Sequence, residues 1–442
     1  MSWTVLDQLD ARELLSRLED DPSDRDTVDE LGLGSIRDYY SDLLFPGITT
    51  LFSRARYFFI VPALLSRMEE LRRNPRFKIA NPYEGLLRKW EHQINVHFRQ
   101  FYAKSQDHLD NEYIGQRTIN RSFSEIYGPK LATSHEEGGL DVIEREYHSM
   151  SLRQGVMEYW KQETVRRDDD GIQEASPRLL RDTEIVSEVK TFLIPSRQRL
   201  RQRELKALEF KLTRDEAKYL REVLGSLHKE NVQNLWGCLI DKMGGLPSWE
   251  RMKEYRQNLS NLRPLSADQH LSRALLFSRL ARTMYSAYWF HAGSLSKDAS
   301  IRQSRLGIQQ QTTKLMKRLS QQRGMLKTLL NSEPSEILGV RADGNSTRNV
   351  KTLLFLRSWV GHIGQPERAF SEEGRRLLHD QEVRVKTKSR SRLESRSLTP
   401  RELREAVENA SRESEFEYSY RFRRAVTIAY DISEGLRRKK RQ

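Results

Sequence analysis

The chain has 442 residues, with 76 Lys and Arg against 62 Asp and Glu, a formal charge of +14. Its 37% hydrophobic and 31% charged content excludes wholesale disorder and a membrane-spanning protein, and the length suits two to three domains. The one cysteine, Cys238, excludes an intrachain disulfide and a cysteine-based zinc site, so a reducing, cytoplasmic setting is expected.

Most of the chain reads as helix. Leu6, Leu9, Leu14, Leu15 and Leu18 recur at helical spacing. Their flank shows no basic region followed by an apolar one, so no secretory signal is expected. Tyr57 through Arg73 runs from apolar to charged and stops at Asn74-Pro75; its apolar part, Tyr57 to Leu65, is far too short for a membrane span. Tyr83 to Phe101 places Leu86, Leu87, Trp90, Ile94, Phe98 and Phe101 on one side of a helix. Within 138–161, Met150, Gln154, Met157 and Trp160 fit a helix. Residues 166–177 are polar and turn-rich, and a small β element is possible near 183–194.

Thr213-Arg214-Asp215-Glu216 is a capping box that opens the next helix. Cys238 sits among apolar neighbours and reads as a buried core thiol. Ser266-Ala267-Asp268-Gln269 precedes a long helix whose stripe of Leu271, Leu275, Leu276, Leu280, Met284, Tyr288 and Trp289 reads as core. Residues 341–347 form a loop in which Asn345 or Ser346 can cap the helix 349–363. Val350 to Leu356 could instead be a buried strand, although the residues after it favour helix. Thr399-Pro400-Arg401-Glu402 opens another helix with proline at its first position, and a last helix covers 418–436. The expected fold is mainly α with little β. Composition shifts divide it into a helical N-terminal domain (1–165), a polar and basic connector (166–210), a helical body (211–380) and a basic arm with a C-terminal helix (381–442).

A charge of +14 points to a polyanion partner, nucleic acid first. Three basic segments could meet it. Arg197, Arg199, Arg201 and Arg203 alternate, so an extended chain would show all four on one side. Arg384, Lys386, Lys388, Arg390 and Arg392 alternate with Val, Thr and Ser. Extended, they would repeat every ~6.6 Å, about twice the ~3.4 Å charge spacing of one DNA strand, and could track phosphates. The third segment is Arg437 to Arg441. Arg54 and Arg56 are further candidates, but they open the most apolar run of the N-terminal half. Buried charge needs a partner, and Asp38 or Asp42 are the nearest acids to Arg56.

Catalytic patterns are sparse. There is no P-loop, and Gly32-Leu33-Gly34 lacks the third glycine of a dinucleotide fingerprint. No His-Glu-x-x-His occurs, and no metal or cofactor is implied. Asp182, Glu188 and Lys190 match the loose Asp…Glu-x-Lys pattern of metal-dependent nucleases. Such triplets arise by chance in a chain rich in Glu and Lys. His362, between two glycines, reads as a structural residue at a helix end.

The block Asp29-Glu30-Leu31-Gly32-Leu33-Gly34-Ser35-Ile36-Arg37-Asp38, then Asp42-Leu43-Leu44-Phe45-Pro46-Gly47-Ile48-Thr49 and Ser53-Arg54-Ala55-Arg56-Tyr57-Phe58-Phe59-Ile60-Val61-Pro62, resembles an uncharacterised prokaryotic family. Ser2-Trp3, Leu212 to Ala217, Phe277 to Tyr288 and Asp431 to Leu436 resemble it too. The family carries no established activity. Its members tend to be encoded near helicases in anti-phage defence islands, which implies a role beside DNA-processing proteins.

The expected function is a non-catalytic nucleic-acid-binding or scaffold subunit of such an assembly, with DNA as the partner and a helicase or nuclease as neighbour. An adaptor that meets an acidic protein partner, or a metal-dependent nuclease, are the alternatives.

Overall fold

A computed structural model describes residues 30–74, 77–102, 122–148, 150–161, 178–181, 209–228, 232–246, 249–257, 259–265, 269–331, 346–386, 391–393, 399–411 and 420–438. In chain order the helices are α1 (Gly34–Leu44), α2 (Tyr57–Arg72), α3 (Arg88–Tyr102, entered through a π-turn at Tyr83–Leu87), α4 (Phe123–Ala132), α5 (Leu152–Lys161), α6 (Arg214–Ser226), α7 (Trp236–Gly244) and α8 (Trp249–Tyr255). There follow α9 (Gln269–Gly293), α10 (Ala299–Ser320), α11 (Arg323–Asn331), α12 (Ser346–Ile363), the single turn α13 (Pro366–Ala369), α14 (Glu372–Lys386), α15 (Pro400–Ser411) and α16 (Phe422–Arg437). The fold is mainly α, with an isolated β-bridge between Ile143 and Leu180. Among the described residues, no helix is long and apolar enough to cross a membrane.

The chain divides into two compact units, each drawn from two separated stretches: residues 1–41 with 267–420, and 42–266 with 421–442. The divisions at 165, 210 and 380 that composition suggests are contiguous, whereas these units interleave along the chain.

In the first unit α9 is the central element. Its 25 residues carry apolar or small side chains on nearly every side, so it is buried almost all round, including the whole expected stripe. Helices α10, α14 and α15 pack against it. The Val350 to Leu356 stretch lies inside α12 and is helical. The Thr399 capping box forms, with Glu402 accepting from the Thr399 amide at 2.9 Å. Gly32 has φ +69°, and a Cβ there would stand 2.7 Å from Val385 Cγ2, so this turn requires glycine.

The second unit is built around α2, whose residues from Tyr57 to Ser66 are all buried. Aromatic rings fill the space beside it: Phe52 stacks on Tyr127 at 3.8 Å, and Phe98 meets Phe210 at 4.3 Å. The Tyr127 hydroxyl donates to the Arg54 carbonyl at 2.8 Å and accepts from the Ser53 amide at 3.1 Å. Helix α16 packs on α6 and α7. Gly435 permits the close approach, since a Cβ there would lie 2.6 Å from that of Ala217. The Thr213 capping box of α6 forms as expected.

Helix α5 forms where Gln154, Met157 and Trp160 suggest one, and it buries Leu152, Gly155, Val156 and Tyr159. Two local expectations are corrected. Phe101 is 51% exposed, because Trp90, Ile94, Phe98 and Tyr102 repeat every four residues and Tyr102 takes the inner position. Cys238 is exposed: Trp236, Leu239, Ile240 and Met243 form the inner face of α7, and Cys238 falls on the other side. The N-terminal leucine helix, the β element near 183–194 and the Ser266 and Asn345 caps lie outside the described residues.

Candidate nucleic-acid interface

Four of the described candidates, Arg54, Arg56, Lys386 and Arg392, are engaged internally. Arg54 is 3% exposed and grips Asp431 with both arms of its guanidinium, Nε to Oδ2 at 3.0 Å and Nη2 to Oδ1 at 2.9 Å. The Ala55 amide also donates to Asp431, at 2.9 Å, and the Arg54 guanidinium lies 4.6 Å above the Phe210 ring. Arg56 pairs with Glu216, the acid of the α6 capping box. Its acidic partner is therefore neither Asp38, which contacts Arg37, nor Asp42, which pairs with Lys130 and Arg421. Burial lowers the Arg56 pKa from its usual value, and the Glu216 charge opposes that. Arg421 holds Asp42 from a left-handed backbone position, φ +63°, and also donates to the Ile48 carbonyl at 2.9 Å. These ties join the 53–62 segment to residues 216 and 431.

Lys386 and Arg392 meet in a second buried cluster. Arg384 and Lys386 belong to the last turn of α14, so the expected extended arm does not begin at 384. Lys386 pairs with Glu30, which is 1% exposed, and Arg392 Nη1 lies 2.7 Å from the same carboxylate. The Tyr288 hydroxyl donates to Glu382 at 2.6 Å. Burial, then the charge of Glu382, raises the Tyr288 pKa far above that of an ordinary phenol. Glu382 also accepts from the Ser391 hydroxyl and the Arg392 amide, each at 2.7 Å, which docks residues 391–393 onto α14. Arg197, Arg199, Arg201, Arg203, Lys388, Arg390 and the nuclease candidates Asp182, Glu188 and Lys190 lie outside the described residues.

A further exposed cationic surface lies elsewhere among the described residues. From Ala299 to Ser332 the sequence holds no Asp or Glu but carries Arg302, Arg305, Lys314, Lys317, Arg318, Arg323 and Lys327. The stretch forms α10 and α11. Helix α10 buries Ile301, Ile308, Thr312, Met316 and Leu319. Its opposite face carries Gln303, Leu306, Gln310, Lys314 and Lys317, all exposed and three or four residues apart, with Arg302 and Arg318 beside them. At 1.5 Å per residue the line from Gln303 to Lys317 is about 21 Å long. Arg305 is the structural member, donating to the Phe290 carbonyl at 2.8 Å and covering the Phe290 ring. Arg302, Lys314, Lys317, Arg318, Arg323 and Lys327 form no ion pair among the described residues.

Asp298 caps α10 through the Ser300 amide at 2.8 Å and pairs with Arg404. Hydrogen bonds from Ser300 and Arg404 hold its pKa down at about 2. The last acid before the cationic face is thus committed to capping. Searching for clustered cations overlooks this face; the signal that finds it is the absence of acids over a long amphipathic stretch.

Among the described residues no group of three or more His, Cys, Asp and Glu could hold a metal ion. A family model described as a family of unknown function (DUF6361) matches residues 1–78, which includes the whole dense block of resemblance. No curated protein and no solved structure matches the chain. Over its first 78 residues the chain is similar to that family, and the match reaches from the first compact unit into the second.

Proposed function

We propose that the chain is a non-catalytic nucleic-acid-binding subunit and that the exposed face of α10 and α11 is its contact surface. The observation that carries this is a 34-residue acid-free stretch folded so that none of its seven cations has a carboxylate partner among the described residues, and only Arg305 is tied to the fold by a hydrogen bond to a carbonyl. A surface cation without an acid nearby leaves its full charge for a polyanion, and binding releases the counterions condensed on the phosphates. Gln303, Gln310 and Gln321 stand among the cations and can hydrogen-bond phosphate or sugar oxygens. Such contacts position a strand without reading its sequence, so binding is sequence-independent and salt-sensitive. The wider role, a subunit beside a helicase or nuclease in a DNA-directed defence assembly, draws its support from the family resemblance.

The test is titration of single-stranded and duplex DNA across a salt series, for the natural chain and for Lys314→Gln/Lys317→Gln/Arg318→Gln. Loss of these three charges lowers affinity and flattens the salt slope; unchanged binding removes the face from the interface. Leu306, 49% exposed, and Met325, 58% exposed, favour a second reading in which the same face docks an acidic protein. A partner complex that survives nuclease treatment supports that reading.

A further inference from the structure

Where α12 ends, at Gly364 and α13, there is an open polar cleft of about 420 Å³ lined by Arg323, His362, Gln365, Arg368 and Glu373 among others. Arg323 opens α11, so the cleft adjoins the cationic stretch. We propose that this cleft binds the terminal phosphate of a nucleic-acid strand, an inference that rests on the contact surface proposed for α10 and α11.

His362 is one of the residues lining the cleft. It is 6% exposed and stacks on Trp359 at 5.6 Å. Its Nδ1 lies 3.1 Å from the Ser358 carbonyl, and a carbonyl only accepts, so Nδ1 carries the proton and the tautomer is set. Nε2 is buried and has no hydrogen-bond partner among the described residues. A buried orphan of this kind costs stability unless something fills the position. Nε2 lies 3.7 Å from Glu373, another lining residue, beyond hydrogen-bond length.

The other donors suit an oxyanion. Arg323 has no ion pair among the described residues. Its guanidinium approaches the chain at Gly364, where a Cβ would lie 3.2 Å from Nη1. Arg368 is exposed, and its contact with Glu373 is loose, at 3.9 Å. Gln365 adds an exposed side-chain amide. Glu373 reaches toward both His362 and Arg368 from an exposed position, 60% accessible, occupying the place of an anion without hydrogen-bonding either. Displacing it leaves two guanidinium groups and an imidazole around one small cavity.

His362 also selects the kind of phosphate. A neutral imidazole with Nδ1 protonated can only accept at Nε2. A phosphate monoester, with its second ionisation near pH 6, has in its monoanion a P–OH that can donate to this lone pair. An internal phosphodiester has no P–OH and is flanked by two sugars, so it cannot reach the buried nitrogen. The cleft therefore fits the end of a strand, and the cations of α11 and α10 follow the rest.

The test uses the full chain and one single-stranded oligonucleotide prepared with 5′-phosphate, with 3′-phosphate or with hydroxyls at both ends, read by fluorescence anisotropy with inorganic phosphate as competitor. One phosphorylated end should bind at least tenfold more tightly than the hydroxyl strand, and inorganic phosphate should erase that difference. Arg323→Gln should remove the preference, and Glu373→Gln, an exposed change, should strengthen it; His362→Gln should behave as Arg323→Gln. Lys314→Gln/Lys317→Gln should weaken all strands equally and keep the preference. Equal binding of phosphorylated and hydroxyl strands overturns the cleft inference and leaves the α10–α11 surface standing. Absence of binding to every strand overturns both.

Discussion

Arg54 and Arg56 in the second compact unit and Lys314, Lys317 and Arg318 in the first are all cations on or beside helices. They have opposite surroundings. Arg54 is held by a carboxylate 377 residues away in sequence, and Arg56 by one 160 residues away. The α10 cations follow a 34-residue rule of no acids, and none pairs with a carboxylate among the described residues. What separates structural charge from available charge is the arrival of an acid from elsewhere in the chain. The density of Lys and Arg along the sequence does not decide it. Lys386 and Arg392 make the same point within the first unit: a basic alternation that looks suited to a phosphate backbone is instead tied to Glu30.

The largest effect that could break this comparison is expected at Arg54. Arg54→Met removes the guanidinium that grips the buried Asp431 carboxylate, and chemical denaturation should show a loss of about 3–5 kcal/mol. Arg54→Met/Asp431→Leu should recover most of it, because removing both charges also removes their desolvation cost. A single variant as stable as the natural chain would mean that the pair carries no structural weight.

Glu91 sharpens the comparison from the other side, as a buried acid with no arginine gripping it. It accepts from the Ser124 amide at 2.7 Å, and burial raises its pKa from 4.5 to about 7, with Arg88 the smallest of the opposing influences. The folded state favours the protonated form, so its contribution is complete below pH 4.5. It declines as pH rises toward 7 and is absent above it. At 1.36 kcal/mol per tenfold the swing is about 3 kcal/mol at most. Glu91→Gln should flatten the stability profile between pH 4.5 and 7; a profile equally steep in the variant would place the titration elsewhere.

The smallest stability effect belongs to the exposed face. Lys314→Gln/Lys317→Gln/Arg318→Gln should change unfolding stability by no more than ~0.5 kcal/mol. A loss of several kcal/mol would show these side chains to be structural, as Arg54 is.

The local architecture was legible where the physics is local. The Thr213 and Thr399 capping boxes, the α9 stripe and the helical choice for Val350 to Leu356 depend on residues a few positions apart. The α7 face was misjudged because flanking apolar residues say nothing about angle: Cys238 sits between Trp236 and Leu239 in sequence but points the other way. The partners of Arg54, Arg56, Lys386 and Arg392 could not be read, because each acid comes from a distant segment and many acids compete for it. The α10–α11 face was visible in principle as missing acids. The cleft was not, because it brings His362 into one lining with Arg323, 39 positions earlier in the chain.

The most direct measurement is the slope of log affinity against log salt for single-stranded DNA, compared between the natural chain and Lys314→Gln/Lys317→Gln/Arg318→Gln. Each phosphate contact on a single strand contributes about 0.7 to the slope. Loss of all three contacts should therefore reduce its magnitude by about 2 and weaken binding most at low salt. A variant with the natural slope and affinity, in a chain that still binds DNA, would contradict the assignment of α10 and α11 as the contact surface.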